Sequence, residues 1–291
     1  MYNLGTEDLI ILPENEMPSR HSLATDNSGS ANSTVYHFRF KPQNGILNSL
    51  KPLLPKQEFT LSFDRSAGDL ALISKKRPEE DDPVKGQVLT LRNPYLTAEY
   101  ISSPYLRNHF DGINSNPISY FYDEISVYHK SLPLNDTIIR FPNLIGGNTP
   151  TYIFAGVIPT SALGGSITEC GTLFKRNNVK EFDITLNGYS CPGLPLTNLD
   201  KTPIDVYDKF LKVTKRKFKN ECPAQIVPSD FCNFHFIYSH KFEGEPTESG
   251  WVGINLKLEK AYEKNHTLVV WTSYDVELKI DQYNRVEKLV L

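Results

Sequence analysis

The sequence has few cysteines and methionines, no basic surplus and no long apolar run. Four cysteines occur in 291 residues, and none has the CxxC spacing that zinc ligands usually show. The net charge of −3 excludes the basic surplus of a dedicated nucleic-acid-binding protein. No apolar run approaches the ~20 residues of a membrane-spanning helix, and the start, MYNLGTEDLI, predicts no secretory signal peptide. We therefore expect unpaired thiols in a reducing compartment, no membrane span and no secretion.

Signatures of the common catalytic sites are also missing. The patterns GxSxG, GxxxxGK, HExxH and GxGxxG do not occur, and the seven histidines include no His-x-His pair. The best metal candidate is a group of four side chains, Cys222, Cys232, His235 and His240. If 231–239 is a strand, Cys232 and His235 point to opposite faces, which disfavours a metal site. We predict no catalytic residue, no cofactor and no metal site, and therefore no enzyme.

Aromatic residues and prolines, in contrast, are plentiful, with 15 Tyr, 16 Phe and 20 Pro. Aromatic side chains suit pleated strands, and prolines suit the loops between them. Alternating or β-rich patterns predict strands at 35–40, 57–64, 87–101, 117–130, 136–142, 151–159, 179–188, 231–239, 250–259 and 266–281. Because no βαβ alternation is visible, the pattern favours an all-β sandwich or jelly roll with long loops.

The predicted strand at 179–188 ends sharply. Its two faces differ, with Phe182, Ile184 and Leu186 on one and Glu181, Asp183 and Thr185 on the other. This alternation is typical of a half-buried strand. Asn187 and Gly188 favour a turn with positive φ, and we expect Pro192 and Pro195 to keep the chain from pairing onward.

One helix is predicted before the last strands, in TPIDVYDKFLKVTKRKFK. Thr202 suits the N-cap and Pro203 suits the first helical position. The expected apolar stripe consists of Ile204, Tyr207, Leu211 and Phe218. The basic run at 215–219 suits the negative end of the helix dipole, which we favour over a phosphate contact.

The chain divides, on this pattern, into a flexible N-terminal arm at 1–34 and a jelly-roll domain at 35–291. The stretch SLATDNSGSANST within the arm is almost entirely small and polar, so it buries too little apolar area to offset the entropy of ordering.

Four segments in a particular order carry a family resemblance. They are ISYFYDEISVYHKSLPLNDTIIRFPNL (118–144), TPTYIFAGVIPTSALGGS (149–166), KEFDITLNGYSCPGLPL (180–196) and INLKLEKAYEKNHTLVVWTSYDVELKIDQYNRV (254–286). In this order they resemble the second jelly roll of the double-jelly-roll major capsid protein of Polinton/Maverick elements and virophages. The likeness covers most of residues 35–291. That family carries two jelly rolls, whereas this chain has room for one with large loops.

The resemblance implies a structural capsid subunit that assembles into capsomers of an icosahedral shell. The implied partners are copies of itself, as a trimer rather than a pentamer, together with other capsid proteins and weak contact with packaged DNA. The implied location is the virion, assembled in the host cytoplasm or nucleus. Two alternatives remain open: a minor (penton) protein at the vertices, and a glycan-binding β-sandwich attachment module, which the aromatic-rich stretches YFYDE and NPYLTAEY favour.

Overall fold

The computed structural model describes residues 60, 117–164, 169–199, 201, 203–217, 226–242, 249–281 and 285–291. The chain divides into two compact units, residues 1–43, 50–115 and 161–171 in one and residues 44–49, 116–160 and 172–291 in the other. The strands and the sites considered below belong to the second unit. The predicted arm at 1–34 and the predicted strands at 35–40, 57–64 and 87–101 lie outside the described residues, apart from Thr60. The boundary between residues 34 and 35 stays a prediction.

Nine strands occur in the described part of the chain. They are β1 (Ile118–Leu132), β2 (Ile138–Asn148), β3 (Tyr152–Pro159), β4 (Val179–Leu186), β5 (Tyr189–Ser190), β6 (Tyr238–Lys241), β7 (Ser249–Leu258), β8 (His266–Ile280) and β9 (Val286–Val290). Three helices accompany them: α1 (Thr160–Gly164), α2 (Pro203–Lys217) and α3 (Pro228–Phe234). Six of the predicted strands correspond to β1, β2, β3, β4, β7 and β8, and the predicted helix corresponds to α2.

The strands form two antiparallel sheets with a regular order. One sheet runs β1-β8-β3-β6, with β9 added to the end of β8, and the other runs β2-β7-β4-β5. The pairs are therefore β1 with β8, β2 with β7, β3 with β6 and β4 with β5, as if one long hairpin had been rolled up. Two four-stranded sheets connected in this way make a jelly roll, so the predicted all-β fold class is confirmed.

The core lies between the two sheets. Phe182 of β4 and Tyr238 of β6 stack across it with ring centroids 3.9 Å apart and planes 3° apart. Ile153, Ile254 and Leu268 are completely buried around them. Burial of such side chains stabilises the fold by about 1.5–3 kcal/mol each, which makes this layer the main source of stability.

The long strands of the two sheets differ in length. β1 and β8 have 15 residues each and pair from end to end without a register shift. In the facing sheet β2 has 11 residues and β7 has 10. The β1–β8 ladder continues past Ser273, where the pairing of β8 with β3 ends, to the segment Val276–Ile280 that pairs with β9.

The prediction of a strand at 231–239 is wrong for most of its length. Pro228–Phe234 is the helix α3, and only Tyr238–Lys241 forms a strand. Phe231 is completely buried, with its ring 5.3 Å from Tyr207 and 5.2 Å from Phe210 of α2. A short apolar run fits a helix as well as a strand, and here the partner helix decides.

The expected stripe on α2 is also displaced. Val206, Phe210 and Val213 are the buried apolar side chains, whereas Ile204 is 45% exposed and the side chain of Phe218 lies beyond the described range. The helix presents this face to β6 and α3. Periodicity identified the helix, but the orientation of its neighbours chose among apolar positions that fit nearly as well.

Strand β4 differs from the expectation of one exposed face. Phe182 and Ile184 are buried as predicted, but Asp183 and Thr185 on the other face are buried as well. The predicted turn is confirmed, because φ is +52° at Asn187 and +84° at Gly188. Beyond the turn, however, the chain pairs with β4 again at Leu196, which exchanges two 2.9 Å backbone hydrogen bonds with Phe182. The two prolines therefore interrupt the pairing for a few residues without ending it.

Candidate functional site

The group of side chains most like an active site lies where α2 covers the edge of the sandwich. Cys191 follows β5, His240 lies in β6 and Lys209 lies in α2, and the thiol and the imidazole are buried. Lys209 donates a 3.2 Å hydrogen bond from Nζ to the carbonyl oxygen of Gly193. Helix packing brings together a cysteine, a histidine and a lysine that are far apart in the sequence, and the sequence carried no signal for this group.

The electrostatics of this group do not suit nucleophilic catalysis. Burial, reinforced by the charge of Asp183, raises the pKa of Cys191 to about 11, so the thiol stays protonated near neutral pH. Burial, with Lys209 acting in the same direction, lowers the pKa of His240 to about 4, so the imidazole stays neutral. A thiol that stays protonated and an imidazole that stays neutral, both near Lys209, are typical of structural packing.

Asp183 is the buried carboxylate next to this group. Its Oδ2 accepts hydrogen bonds from Ser190 Oγ at 2.8 Å and from Asn255 Nδ2 at 3.3 Å. Its Oδ1 is buried and has no hydrogen-bond partner within the described ranges. These two hydrogen bonds link β4 to β5 and β7, so the carboxylate stabilises the sheet.

The structure does not place the four candidate metal-ligating residues as the sequence argument assumed. Cys222 lies outside the described residues, and Cys232 lies in α3, so the argument from strand parity was wrong. Across the part of the chain that the structure describes, no three His, Cys, Asp or Glu side chains are placed to hold a metal ion. The same part contains no helix with the length and apolar character that crossing a membrane requires. The prediction of no metal and no catalytic residue stays a prediction.

An open groove of about 450 Å³ lies beside α3. It is lined by Lys175, Arg176, Asn177, Asn178, Cys232, Asn233 and Phe234. Two of its polar groups already have partners inside the protein. Arg176 is paired with Glu259, and Asn177 Nδ2 donates to the carbonyl oxygen of Val157 at 2.6 Å. Arg176 and Asn177 of this lining are therefore committed to contacts within the protein.

A second open cleft, of about 340 Å³, lies beside the β1–β8 ladder at the ends of β2 and β9. It is lined by Glu124, Ser126, Tyr128, Asn148, Tyr274 and Val290. Its floor comes from β1 and β8, and its two sides come from the ends of β2 and β9. No pattern in the sequence predicts this cleft, although Glu124 of the run YFYDE lines it.

Large apolar side chains are also exposed on the outward face of β1. Phe121 is 55% exposed, Ile125 40% and Val127 53%. The alternation that buries Tyr120 turns these three side chains away from the core. Elsewhere on the surface Tyr189 is 81% exposed and Trp251 49%.

No family model matches the sequence, and no curated protein matches it. Three solved structures show what the chain is similar to. A chain of the cryo-EM structure of the Sputnik virophage is 12% identical over 60% of this chain and 39% of its own length, with a TM-score of 0.41. The mavirus major capsid protein is 10% identical over 60% of this chain and 41% of its own length, with a TM-score of 0.36. PBCV-1 VP54, fitted into a reconstruction of Sputnik, is 10% identical over 64% of this chain and 54% of its own length, also at 0.36.

The match thus spans about two-fifths of the length of the first two proteins. Because all three TM-scores lie below 0.5, the evidence for the fold is the order of the strands in this chain itself. That order makes the described part of the chain an all-β jelly roll.

Proposed function

We propose that the chain is a structural capsid subunit that assembles with copies of itself into capsomers of an icosahedral shell. The observation that carries the proposal is the strand order, β1-β8-β3-β6 facing β2-β7-β4-β5. Viral capsid domains are among the main users of this double-sheet architecture. The ordered sequence resemblance to the Polinton/Maverick and virophage capsid proteins supports the same function.

The build of the sandwich fits a shell protein. The 15-residue β1–β8 ladder keeps a single register, and a slip by one residue would turn the buried side chains outward. Such a ladder gives a rigid body that can hold defined contacts on several sides. Exposed aromatic and aliphatic side chains, such as Phe121, Val127 and Trp251, are of the types enriched at protein interfaces.

The proposed partners are further copies of the chain and other capsid proteins. A trimer is favoured over a pentamer, because the resemblance is to a major capsid protein, whose capsomers are trimers. Contact with packaged DNA would be weak, since the chain carries a net charge of −3. The proposed location is the virion, after assembly in the host cytoplasm or nucleus, and the proposed role is not enzymatic.

Light scattering on the purified full-length chain tests the proposal. We expect the mass to rise with concentration to a trimer, and electron microscopy of the same material to show capsomers or shells. A chain that stays strictly monomeric at high concentration and forms no particles would contradict the proposal. A stable pentamer would support capsid function but would replace the major-subunit assignment with the vertex alternative.

A further inference from the structure

The cleft at the end of the sandwich lies on a face that changes character along two strands. On β8 the side chains of Leu268 and Val270 are fully buried against the other sheet. Two and four residues further along the same face, Thr272 and Tyr274 are polar. On β1 the opposite positions are Ser126 and Glu124, so the change happens on both strands at the same level. The inner face of this ladder thus carries a polar stretch, and beyond it Val276 and Ile280 are buried apolar side chains again.

The polar groups of the cleft are balanced in charge. Glu124 forms an ion pair with Lys288 of β9, with Oε2 2.5 Å from Nζ. The rest of the lining is neutral: Ser126, Tyr128, Asn148, Tyr274 and Val290. Burial raises the pKa of Tyr274 to about 12, so its phenol remains neutral, and side-chain hydrogen bonds link it to Thr272 and Tyr128. A ligand therefore meets a site with almost no net charge.

Several of these groups are available to a ligand. The side chains of Ser126 and Asn148 take part in no hydrogen bond within the described part of the chain. Asn148 offers an amide with both donors and an acceptor, and the unpaired acceptor capacity of the Glu124 carboxylate faces the same space. Together they suit a molecule that carries several hydroxyl groups, each of which both donates and accepts.

The rings of Tyr128 and Tyr274 supply the remaining surface. An aromatic ring with a hydroxyl group presents an apolar body and a polar tip, which matches a sugar ring with C–H groups on its faces and hydroxyl groups at its rim. A wholly apolar ligand would desolvate Glu124 and Asn148 without replacing their hydrogen bonds. An acidic sugar would bring a second negative charge to Glu124.

We propose that this cleft binds a single neutral hexose ring, presented at the end of a glycan. The volume of about 340 Å³ lies at the small end of the range for ligand pockets, about 300–1,000 Å³, which suits one ring. All the lining residues belong to one chain.

Saturation-transfer NMR on the full-length chain tests the proposal, with methyl glycosides of glucose, galactose and mannose, a neutral oligosaccharide and sialic acid as probes. We expect transfer to at least one neutral hexose and weaker transfer to sialic acid. The oligosaccharide should bind through its terminal ring. Absence of transfer to every neutral sugar at millimolar concentration, or a preference for sialic acid, would overturn the proposal.

Matched variants locate the binding site. Tyr274→Phe and Asn148→Ala each remove one hydrogen-bonding group from the cleft, and we expect affinity to fall by about threefold to tenfold. Tyr189→Phe and Asn143→Ala make the same chemical changes at exposed positions elsewhere and should leave affinity unchanged. Equal affinity in all four variants would overturn the site. If Tyr274→Phe fails to fold, the exposed Asn148 provides the deciding comparison.

Discussion

The closed middle and the open end of the sandwich share one ladder, β1 with β8, yet they differ in chemistry. In the middle, Val270 is fully buried beneath the facing sheet. At the end, Tyr274 on the same strand and face borders an open cleft. The strands, their register and their hydrogen bonding continue unchanged from one region to the other. Further along the same face Val276 and Ile280 are buried again, so the cleft interrupts an inner face that is otherwise buried on both sides of it.

The largest expected effect comes from truncating the middle. Phe182→Ala removes one ring of the Phe182–Tyr238 stack and leaves a cavity, so we expect the free energy of unfolding to fall by about 3–5 kcal/mol. The matched variant at the open end is Tyr128→Ala, which should cost less than half as much because its side chain is only partly buried. Urea denaturation of both variants checks this, and equal losses would mean that the two regions do not differ in packing.

A smaller effect is expected in the pH dependence of stability, through His240, which is buried at the edge of the sandwich that α2 covers. The pKa of His240 is lowered from 6.5 to about 4, so between these values the unfolded chain binds a proton that the folded chain excludes. Stability should therefore decrease as the pH falls from about 6.5 to about 4, by at most about 3 kcal/mol.

The measurement is the difference in free energy of unfolding between pH 7 and pH 4.5. His240→Gln should remove this increment, whatever it does to stability at pH 7. His129→Gln, at an exposed position of β1, serves as the control and should keep the full increment. An unchanged pH dependence in His240→Gln would show that the covered edge excludes no proton.

The smallest effect is expected at the open end. Glu124 and Lys288 form an ion pair while their side chains remain 38% and 46% exposed. Solvent screens such a pair, so a double-mutant cycle with Glu124→Ala and Lys288→Ala should give a coupling energy below about 1 kcal/mol. A coupling energy of several kcal/mol would mean that water does not screen the pair and that the cleft is closed in solution. The cleft would then not differ from the buried middle of the sandwich.

Much of the fold could be predicted because the pattern of apolar and polar residues in a strand or helix is visible within a short stretch of sequence. The strands at β1, β3, β4, β7 and β8 and the helix α2 all carry a period that a few neighbouring residues reveal. The errors at 231–239 and on the stripe of α2 share one cause. In both places several apolar residues fit more than one arrangement, and contact with Phe231 or β6 selects the final one.

The candidate site could not be predicted from such local patterns. Glu124, Asn148 and Tyr274 lie on three strands, and no spacing in the sequence connects them. Most strands, the Asn187–Gly188 turn, the helix α2 and the class of fold follow from local sequence, because each depends on residues close together in the chain. Three features arise from packing between distant segments: both faces of β4 are buried, Cys191 and His240 stay neutral near α2, and a cleft interrupts the inner face of β8. Those outcomes depend on which distant segment covers a face, and that information is spread over the whole chain.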